Sequence, residues 1–206
     1  ELAGACRRAG IKFGVGLSPY EMYLSPFDAA GRELLRSRIE LFNRIGVEKF
    51  CLLMDDMKGD LPNLAERQLE IVNWAAGIST AEQLVFCPTY YSHDPVLEKL
   101  FGRMPEGYLE ALGKGLDKKV SVFWTGELVC SKSYTAEHLS AVAATLGRKP
   151  FLWDNYPVND GPRMCKFLHL RPFTGRPADM GAHLAGHAVN PMNQITLSKI
   201  SALTLK

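Results

Sequence analysis

Two adjacent carboxylates, Asp55 and Asp56, come directly after the apolar run from Phe50 to Met54. Like charges next to an apolar segment repel each other and lose hydration, which is unfavourable unless a site makes use of them. When their environments differ, the pKa values of two carboxylates can be driven apart, so that one stays ionised and the other keeps its proton. The pair could therefore orient one reacting group and supply a proton to another.

Two alternatives for Asp55 and Asp56 stay open at this point. Taken alone, the pattern is more typical of a helix N-cap cluster or a solvated turn. The pair could also hold Mg²⁺ in a hydrolase, as aspartates in many phosphoryl-transfer enzymes do. The chain has no Gly-rich phosphate loop, however, because Gly14-Val15-Gly16 alone is too short a match. The sequence therefore favours a site without a metal ion or other cofactor.

Aromatic and hydrogen-bonding residues follow several later apolar runs. These clusters are Cys87-Pro88-Thr89-Tyr90-Tyr91, Trp124-Thr125-Gly126, Trp153-Asp154-Asn155 with Asn159-Asp160, and Asn190-Pro191-Met192-Asn193. Core packing explains either tryptophan, and a core thiol with surface tyrosines explains the first cluster, but neither explains the polar residues beside Trp153. Aromatic walls with fixed polar partners suit a sugar, whose C–H faces stack while its hydroxyls need directional partners.

His183 and His187 stand four residues apart, a spacing that can bind a metal from one face of a helix. They lack the Glu of the H-E-x-x-H motif, and Gly181 and Gly186 weaken a helix there. We therefore interpret both histidines as surface or packing residues.

The composition is that of an ordinary globular protein, with 206 residues, 47% of them hydrophobic, and a net charge of +2. This charge argues against disorder and against nucleic-acid binding. The five cysteines are scattered without C-x-x-C spacing, which indicates reduced thiols and is typical of intracellular proteins. No apolar run is long enough to span a membrane.

Apolar segments of strand length alternate with segments of helical periodicity, which predicts an α/β fold with a parallel sheet. The predicted strands are residues 11–17, 49–54, 84–87, 120–124, 151–153 and 185–189, and the predicted helices are residues 1–9, 29–45, 64–76, 105–116, 135–146 and a last one from about Gln194. Polar or aromatic clusters follow most of these strands, as expected for a (β/α)₈ (TIM) barrel, which typically needs ~250 residues. We expect one domain over residues 1–206, with six of eight β/α units, the first two lying before Glu1.

The chain resembles the catalytic domain of the O-GlcNAcases, the family 84 glycoside hydrolases. The resemblance rests on LLMDDMKGD, VFCPTYY, VFWTG, LWDNYPVND and VNPMNQ, which follow in the family's order at similar separations. It implies a TIM barrel that cleaves terminal β-linked N-acetylglucosamine with retention, through an oxazoline formed by the substrate's own acetamido oxygen. Such substrate-assisted families use no enzymic nucleophile.

By the same resemblance, Asp55 would hold and polarise the acetamido N–H, and Asp56 would protonate the leaving oxygen and later act as base. The positions that match the family's acetamido pocket are Cys87, Tyr91, Thr125, Val129 and Trp153, and those that match its sugar hydrogen-bonding groups are Asn155, Asp160 and Asn190. Tyr90 stands where the family usually has Glu. Nothing in the chain matches the glycine and lysine segments of the family's first two strands.

The expected partner is an N-acetylglucosamine-bearing glycoconjugate or glycoprotein, which includes O-GlcNAc on Ser or Thr of proteins. An alternative from another class is a catalytically inactive glycan-binding module of the same fold. The Mg²⁺-dependent hydrolase built on Asp55 and Asp56 is a third hypothesis.

Overall fold

The computed structural model describes residues 1–20 and 22–205. Six strands, β1 to β6, are Gly14–Leu17, Lys49–Leu53, Gln83–Cys87, Val120–Trp124, Phe151–Asp154 and Gly186–Val189. Eight α-helices, α1 to α8, are Leu2–Arg8, Ala29–Ile45, Leu64–Ile78, Pro95–Phe101, Tyr108–Gly115, Ala136–Leu146, Gly161–Met164 and Ile195–Ala202. Short 3₁₀ helices cover Met22–Leu24 and Ala178–His183.

The six strands form one parallel sheet in the order β1-β2-β3-β4-β5-β6. Since each connection moves the chain by one strand in the same direction, right-handed crossovers place the helices on one face of the sheet. The two edge strands, β1 and β6, line a common cavity of about 300 Å³ together with β2, β4 and β5. The sheet is therefore curled, and the predicted α/β fold with parallel strands is confirmed.

Successive side chains along each strand point alternately to the inside of the curled sheet and to the face that the helices cover. In β2, Phe50 and Leu52 are buried against the helices, whereas Cys51 and Leu53 line the inner cavity. Because the carboxyl ends of parallel strands share one edge, the residues that follow β2 to β6 meet at the same end of the curled sheet.

Several predicted boundaries differ from the observed ones. The first strand begins at Gly14 rather than residue 11, and the fifth helix begins at Tyr108 rather than residue 105. Helix α4, which the sequence analysis missed, has a clear start signal, since Asp94 caps it by accepting from the Val96 amide and Pro95 occupies its first turn. Thr135 caps α6, with its hydroxyl accepting from the His138 amide at 3.2 Å.

Among the described residues, no helix has the length and apolar character that crossing a membrane requires. All five cysteines are free thiols.

Arg148 joins the end of α5 to the start of β4. Its guanidinium donates to the carbonyls of Gly113, Leu116, Asp117 and Val120 at 2.7 to 3.2 Å, and its Nε donates to Leu146. A guanidinium can serve this many carbonyls at once because it carries five N–H donors in a planar fork. Arg148 therefore satisfies carbonyls that α5 leaves unpaired at its end.

We expect Arg148→Met to lower the free energy of unfolding by about 2 to 3 kcal/mol, because hydrogen bonds from a charged donor are lost together and carbonyls are left unpaired. Urea denaturation followed by circular dichroism measures this change. The control is Lys149→Met, which replaces the neighbouring exposed cation and should change the free energy of unfolding by less than about 0.5 kcal/mol. Equal effects of the two substitutions would contradict the role given to Arg148.

Candidate active site

A cavity of about 310 Å³ lies at the carboxyl ends of the strands. Its lining residues are Asp55, Asp56, Cys87, Tyr91, Thr125, Val129, Cys130, Trp153, Asn155, Val158, Asp160, Met164 and Asn190. All ten site residues predicted from the sequence are in this set. Five separate strand ends therefore contribute to one cavity, hereafter called the sugar cavity because the sequence analysis predicts that these residues bind a sugar.

The backbone turns sharply at Asp56, which has φ of 53°. Side chains of successive extended residues point to opposite faces, so Asp55 and Asp56 would face apart if the strand simply continued. The left-handed conformation, which Asp tolerates better than most residues, instead lets both carboxylates line the sugar cavity. Asp56 is also the one described non-glycine residue with positive φ.

The two carboxylates differ in environment. Burial raises the pKa of Asp55, its own backbone amide opposes this, and the charge of Asp56 adds to the rise. Asp56 is exposed, and its Oδ1 accepts from the Tyr91 hydroxyl at 3.0 Å. Burial and the Asp56 charge in turn raise the pKa of Tyr91, so this hydroxyl stays a donor.

A buried polar network holds the end of β2 behind the carboxylates. The Thr89 hydroxyl donates to the Met54 carbonyl at 2.7 Å and accepts from the Gln68 amide at 2.8 Å, and the Tyr108 hydroxyl bonds both Gln68 and the Thr89 amide. All three side chains are buried. Because fully satisfied buried networks rigidify their surroundings, the position of Asp55 is fixed from outside the cavity.

Tyr90 points away from the sugar cavity. Its hydroxyl donates to the Gly102 carbonyl at 2.6 Å, and its ring packs edge-on against Tyr108. Its hydroxyl also lies so close to Gly59 that any side chain at position 59 would collide with it. Tyr90 is thus a structural residue under the loop that carries the two carboxylates.

The part of the cavity formed by Cys87, Thr125 and Val129 is held by bonds between neighbouring loops. The Thr125 amide donates to the Tyr91 carbonyl at 2.9 Å, and the Val129 amide donates to Asp94 Oδ2 at 3.1 Å. Burial raises the pKa of the Cys87 thiol, and the charges of Asp55 and Asp56 raise it further. Cys87 therefore stays a neutral thiol and is unsuited to act as a nucleophile.

Asn155 joins three strand ends. Its Oδ1 accepts from Trp153 Nε1 and from Asn190 Nδ2, each at 3.0 Å, and its Nδ2 donates to the Val129 carbonyl at 2.8 Å. One N–H of the Asn155 amide is left for a ligand. Asp160 is exposed at the start of α7 and makes no capping bond, so its carboxylate is free to accept.

Asp154 lies outside the sugar cavity. It is buried on the other face of β5 and accepts from Arg176 at 2.5 and 2.9 Å and from His187 at 3.1 Å. Burial by itself would raise the pKa of Asp154, but the bonds from His187 and Arg176 outweigh it, so that the pKa lies below its ordinary value. Strand alternation after Trp153 is the sequence signal that separates Asp154 from the cavity residues.

Arg176 also holds two loops in place, the one after β4 and the one after β5. It donates to the carbonyls of Lys132 and Thr174 at 2.8 and 2.6 Å and lies over the rings of Tyr134 and Tyr156. The sequence analysis missed Arg176, because no local pattern pairs it with a carboxylate 22 residues away.

The two histidines that stand four residues apart have different partners, since His187 contacts Asp154 and His183 contacts the Ser140 hydroxyl at 3.2 Å. Within residues 1–20 and 22–205, no three His, Cys, Asp or Glu side chains are grouped so that they could hold a metal ion.

A family model described as beta-N-acetylglucosaminidase matches residues 1–206. The chain belongs to this family. A protein O-GlcNAcase from Rattus norvegicus is 27% identical over 213 residues, which cover 99% of this chain and 23% of the relative. The resemblance found in the sequence motifs is therefore confirmed.

Solved structures give the same result. A mutant of the O-GlcNAc hydrolase of Thermobaculum terrenum superimposes with a TM-score of 0.83 at 33% identity, covering 98% of this chain and 44% of that one. A protein named CpGH84B gives a TM-score of 0.82 at 26% identity, with 98% and 36% covered. The chain thus spans less than half the length of these relatives.

We expect Asp55→Asn to raise the melting temperature at neutral pH, because it removes a charge that burial disfavours. Since the pKa of Asp55 is raised on folding, the contribution of Asp55 to stability is greatest below its unfolded-state pKa and is lost as pH rises through its folded-state pKa. The gain from Asp55→Asn should therefore shrink as the pH is lowered. Thermal melts across the acid range measure this.

The exposed carboxylate Asp179 supplies the control, and Asp179→Asn should show no comparable gain. A loss of stability in Asp55→Asn at neutral pH would mean that the Asp55 carboxylate is not destabilised by burial.

Proposed function

We propose that this chain forms the catalytic site of a retaining glycoside hydrolase that removes terminal β-linked N-acetylglucosamine by substrate-assisted catalysis through an oxazoline. The observation that carries the proposal is that both adjacent carboxylates line one cavity with an apolar wall and several amide and carboxylate groups. Family membership supports the same reaction.

In the proposed mechanism, Asp55 accepts a hydrogen bond from the N–H of the substrate's 2-acetamido group. The acetamido oxygen then attacks the anomeric carbon, and the leaving oxygen departs. A carboxylate whose pKa is raised by burial is a stronger base than a solvated one, so it polarises this N–H more effectively. The arriving N–H in turn favours the ionised form of Asp55.

Asp56 is proposed to protonate the leaving oxygen and then to deprotonate the water that opens the oxazoline. It is the more exposed of the two carboxylates, which suits a group that exchanges protons with both the leaving group and water. The hydroxyl of Tyr91 donates to Asp56 at 3.0 Å and would orient the carboxyl group. The two carboxylates are adjacent because the acetamido group and the leaving oxygen lie on neighbouring carbons of one sugar.

Recognition of the sugar is assigned to the remaining residues of the sugar cavity. Cys87, Val129 and the ring of Trp153 offer apolar surface in the cavity and are proposed to contact the acetamido methyl group. The free N–H of Asn155 and the carboxylate of Asp160 are placed to bond sugar hydroxyls. Asn190, already bonded to Asn155, is proposed to hold a further hydroxyl.

We also propose that the chain is one domain whose six strands belong to an eight-stranded barrel. The edges β1 and β6 are not paired with each other, and an apolar cavity of about 300 Å³ opens between them. Bare strand edges pair readily with further strands, and two more β/α units would close the sheet into a TIM barrel.

The proposed substrate is a glycoconjugate or glycoprotein that carries terminal N-acetylglucosamine, including O-GlcNAc on Ser or Thr. The name of the rat relative, protein O-GlcNAcase, supports a protein-linked substrate.

The test uses aryl N-acetyl-β-glucosaminides with leaving groups of different acidity. For a poorly acidic leaving group, Asp56→Asn should lower kcat/KM by about 10²- to 10⁴-fold, because general acid catalysis is lost. For a strongly acidic leaving group, which needs little protonation, the loss should be much smaller. The control is Asp60→Asn, which changes a carboxylate on the same loop but outside the sugar cavity.

An equal loss with all leaving groups would refute the assignment of Asp56 as the acid. Binding of an oxazoline-like inhibitor without any turnover would instead identify a binding module, and activity that disappears in EDTA would identify a metal-dependent hydrolase.

A further inference from the structure

A second groove, of about 560 Å³, opens directly beside the sugar cavity. The two share Cys130, Asn155 and Met164 as a common wall. The groove runs between the loop after β4 and the long segment after β5. If a sugar is bound in the sugar cavity, a substituent of that sugar that extends past Asn155 would therefore enter this groove.

The charged side chains that line the groove are Lys132, Arg171 and Arg176, all of them basic. Asp154 neutralises Arg176 through two hydrogen bonds. Lys132 and Arg171 are exposed, and neither takes part in the ion pairs found within residues 1–20 and 22–205. Among the residues that the structure describes, no carboxylate lines the groove, so Lys132 and Arg171 are uncompensated there.

Hydrogen bonds hold the backbone at Lys132 and Arg171 in place. The Lys132 carbonyl accepts from Arg176 at 2.8 Å, and the Arg171 carbonyl accepts from the Tyr156 hydroxyl at 2.7 Å. The ring of Tyr156 stacks on His169, with centroids 6.0 Å apart and planes within 7°. Because the loops are tied down, the two cationic side chains start from defined positions on opposite sides of the groove.

We propose that this groove binds an anionic group, a carboxylate, sulfate or phosphate, that the N-acetylglucosaminide substrate carries in addition to its acetamido group. The inference rests on the proposed function of the sugar cavity. Two uncompensated cations beside a cavity attract anions, whereas they disfavour a cationic extension of the substrate. The anionic group could be attached to the leaving group or to the sugar itself, and the two sources can be separated experimentally.

The test compares matched substrates on the full-length protein. In one arm, an aryl N-acetyl-β-glucosaminide with a ring carboxylate is compared with its neutral methyl ester. In the other, an aryl glycoside sulfated on the sugar 6-hydroxyl is compared with the unsulfated parent. We expect kcat/KM to be about 3- to 10-fold higher for the anionic member in one arm at low salt, and this preference should fall at high salt.

Lys132→Gln and Arg171→Gln should each reduce the anionic-to-neutral ratio towards one. The control is Lys118→Gln, which removes one positive charge just before β4, at the opposite end of the sheet. This variant should leave the anionic-to-neutral ratio unaltered. A ratio near one in both arms, or a preference that survives both groove substitutions, would overturn the proposal.

Binding measurements keep this test separate from that of the proposed function. Dissociation constants of the same substrate pairs, measured by calorimetry on the Asp56→Asn variant, should show the same preference and the same dependence on Lys132 and Arg171. If no substrate is turned over by the native protein, the proposed hydrolase function fails, while the binding ratio still decides whether the groove selects anions.

Discussion

The turn at Asp56 is the constraint on which the rest of the site depends. A strand that continued past Asp55 would send the two carboxylates to opposite faces, and one would be lost to the helix layer. With φ of 53° at Asp56, both instead reach one cavity. A non-glycine residue in this region is under strain, which persists only when its surroundings impose it.

Those surroundings are visible in the layer behind the cavity. The hydrogen-bonded side chains of Tyr108, Gln68 and Thr89 end on the Met54 carbonyl, immediately before the carboxylates. The Tyr90 hydroxyl, bonded to the Gly102 carbonyl, lies against Gly59 of the loop that follows them. Burial of Asp55 is itself unfavourable, as its raised pKa indicates. The site thus gives up stability for a basic carboxylate in a fixed position, a compromise that active sites commonly show.

Much of this could be predicted from the sequence. The strand–helix alternation predicted the parallel sheet, and the clusters after the apolar runs predicted which residues meet, because parallel strands end at one edge. The resemblance to the family suggested the individual roles that we propose for these residues. These signals are local in the chain, or repeat with the period of the secondary structure.

What the sequence did not reveal depends on contacts between distant segments. The pairing of Asp154 with Arg176, the bonds of Asn155 to three strand ends, and the strained turn at Asp56 have no local signature. Asp154 in particular was grouped with the sugar-binding residues because it adjoins Trp153. The structure corrects this, since one residue along a strand reverses the face.

The proposed nucleophile is the substrate's own acetamido oxygen, and Asp55 is proposed to hold the N–H of the same acetamido group. The most direct measurement is kcat/KM for aryl glucosaminides whose N-acetyl group carries zero, one, two or three fluorine atoms. Fluorine withdraws electrons from the carbonyl oxygen and weakens it as a nucleophile. Attack by the acetamido oxygen predicts a steep fall in kcat/KM with each added fluorine, and a rate independent of fluorination would contradict this mechanism.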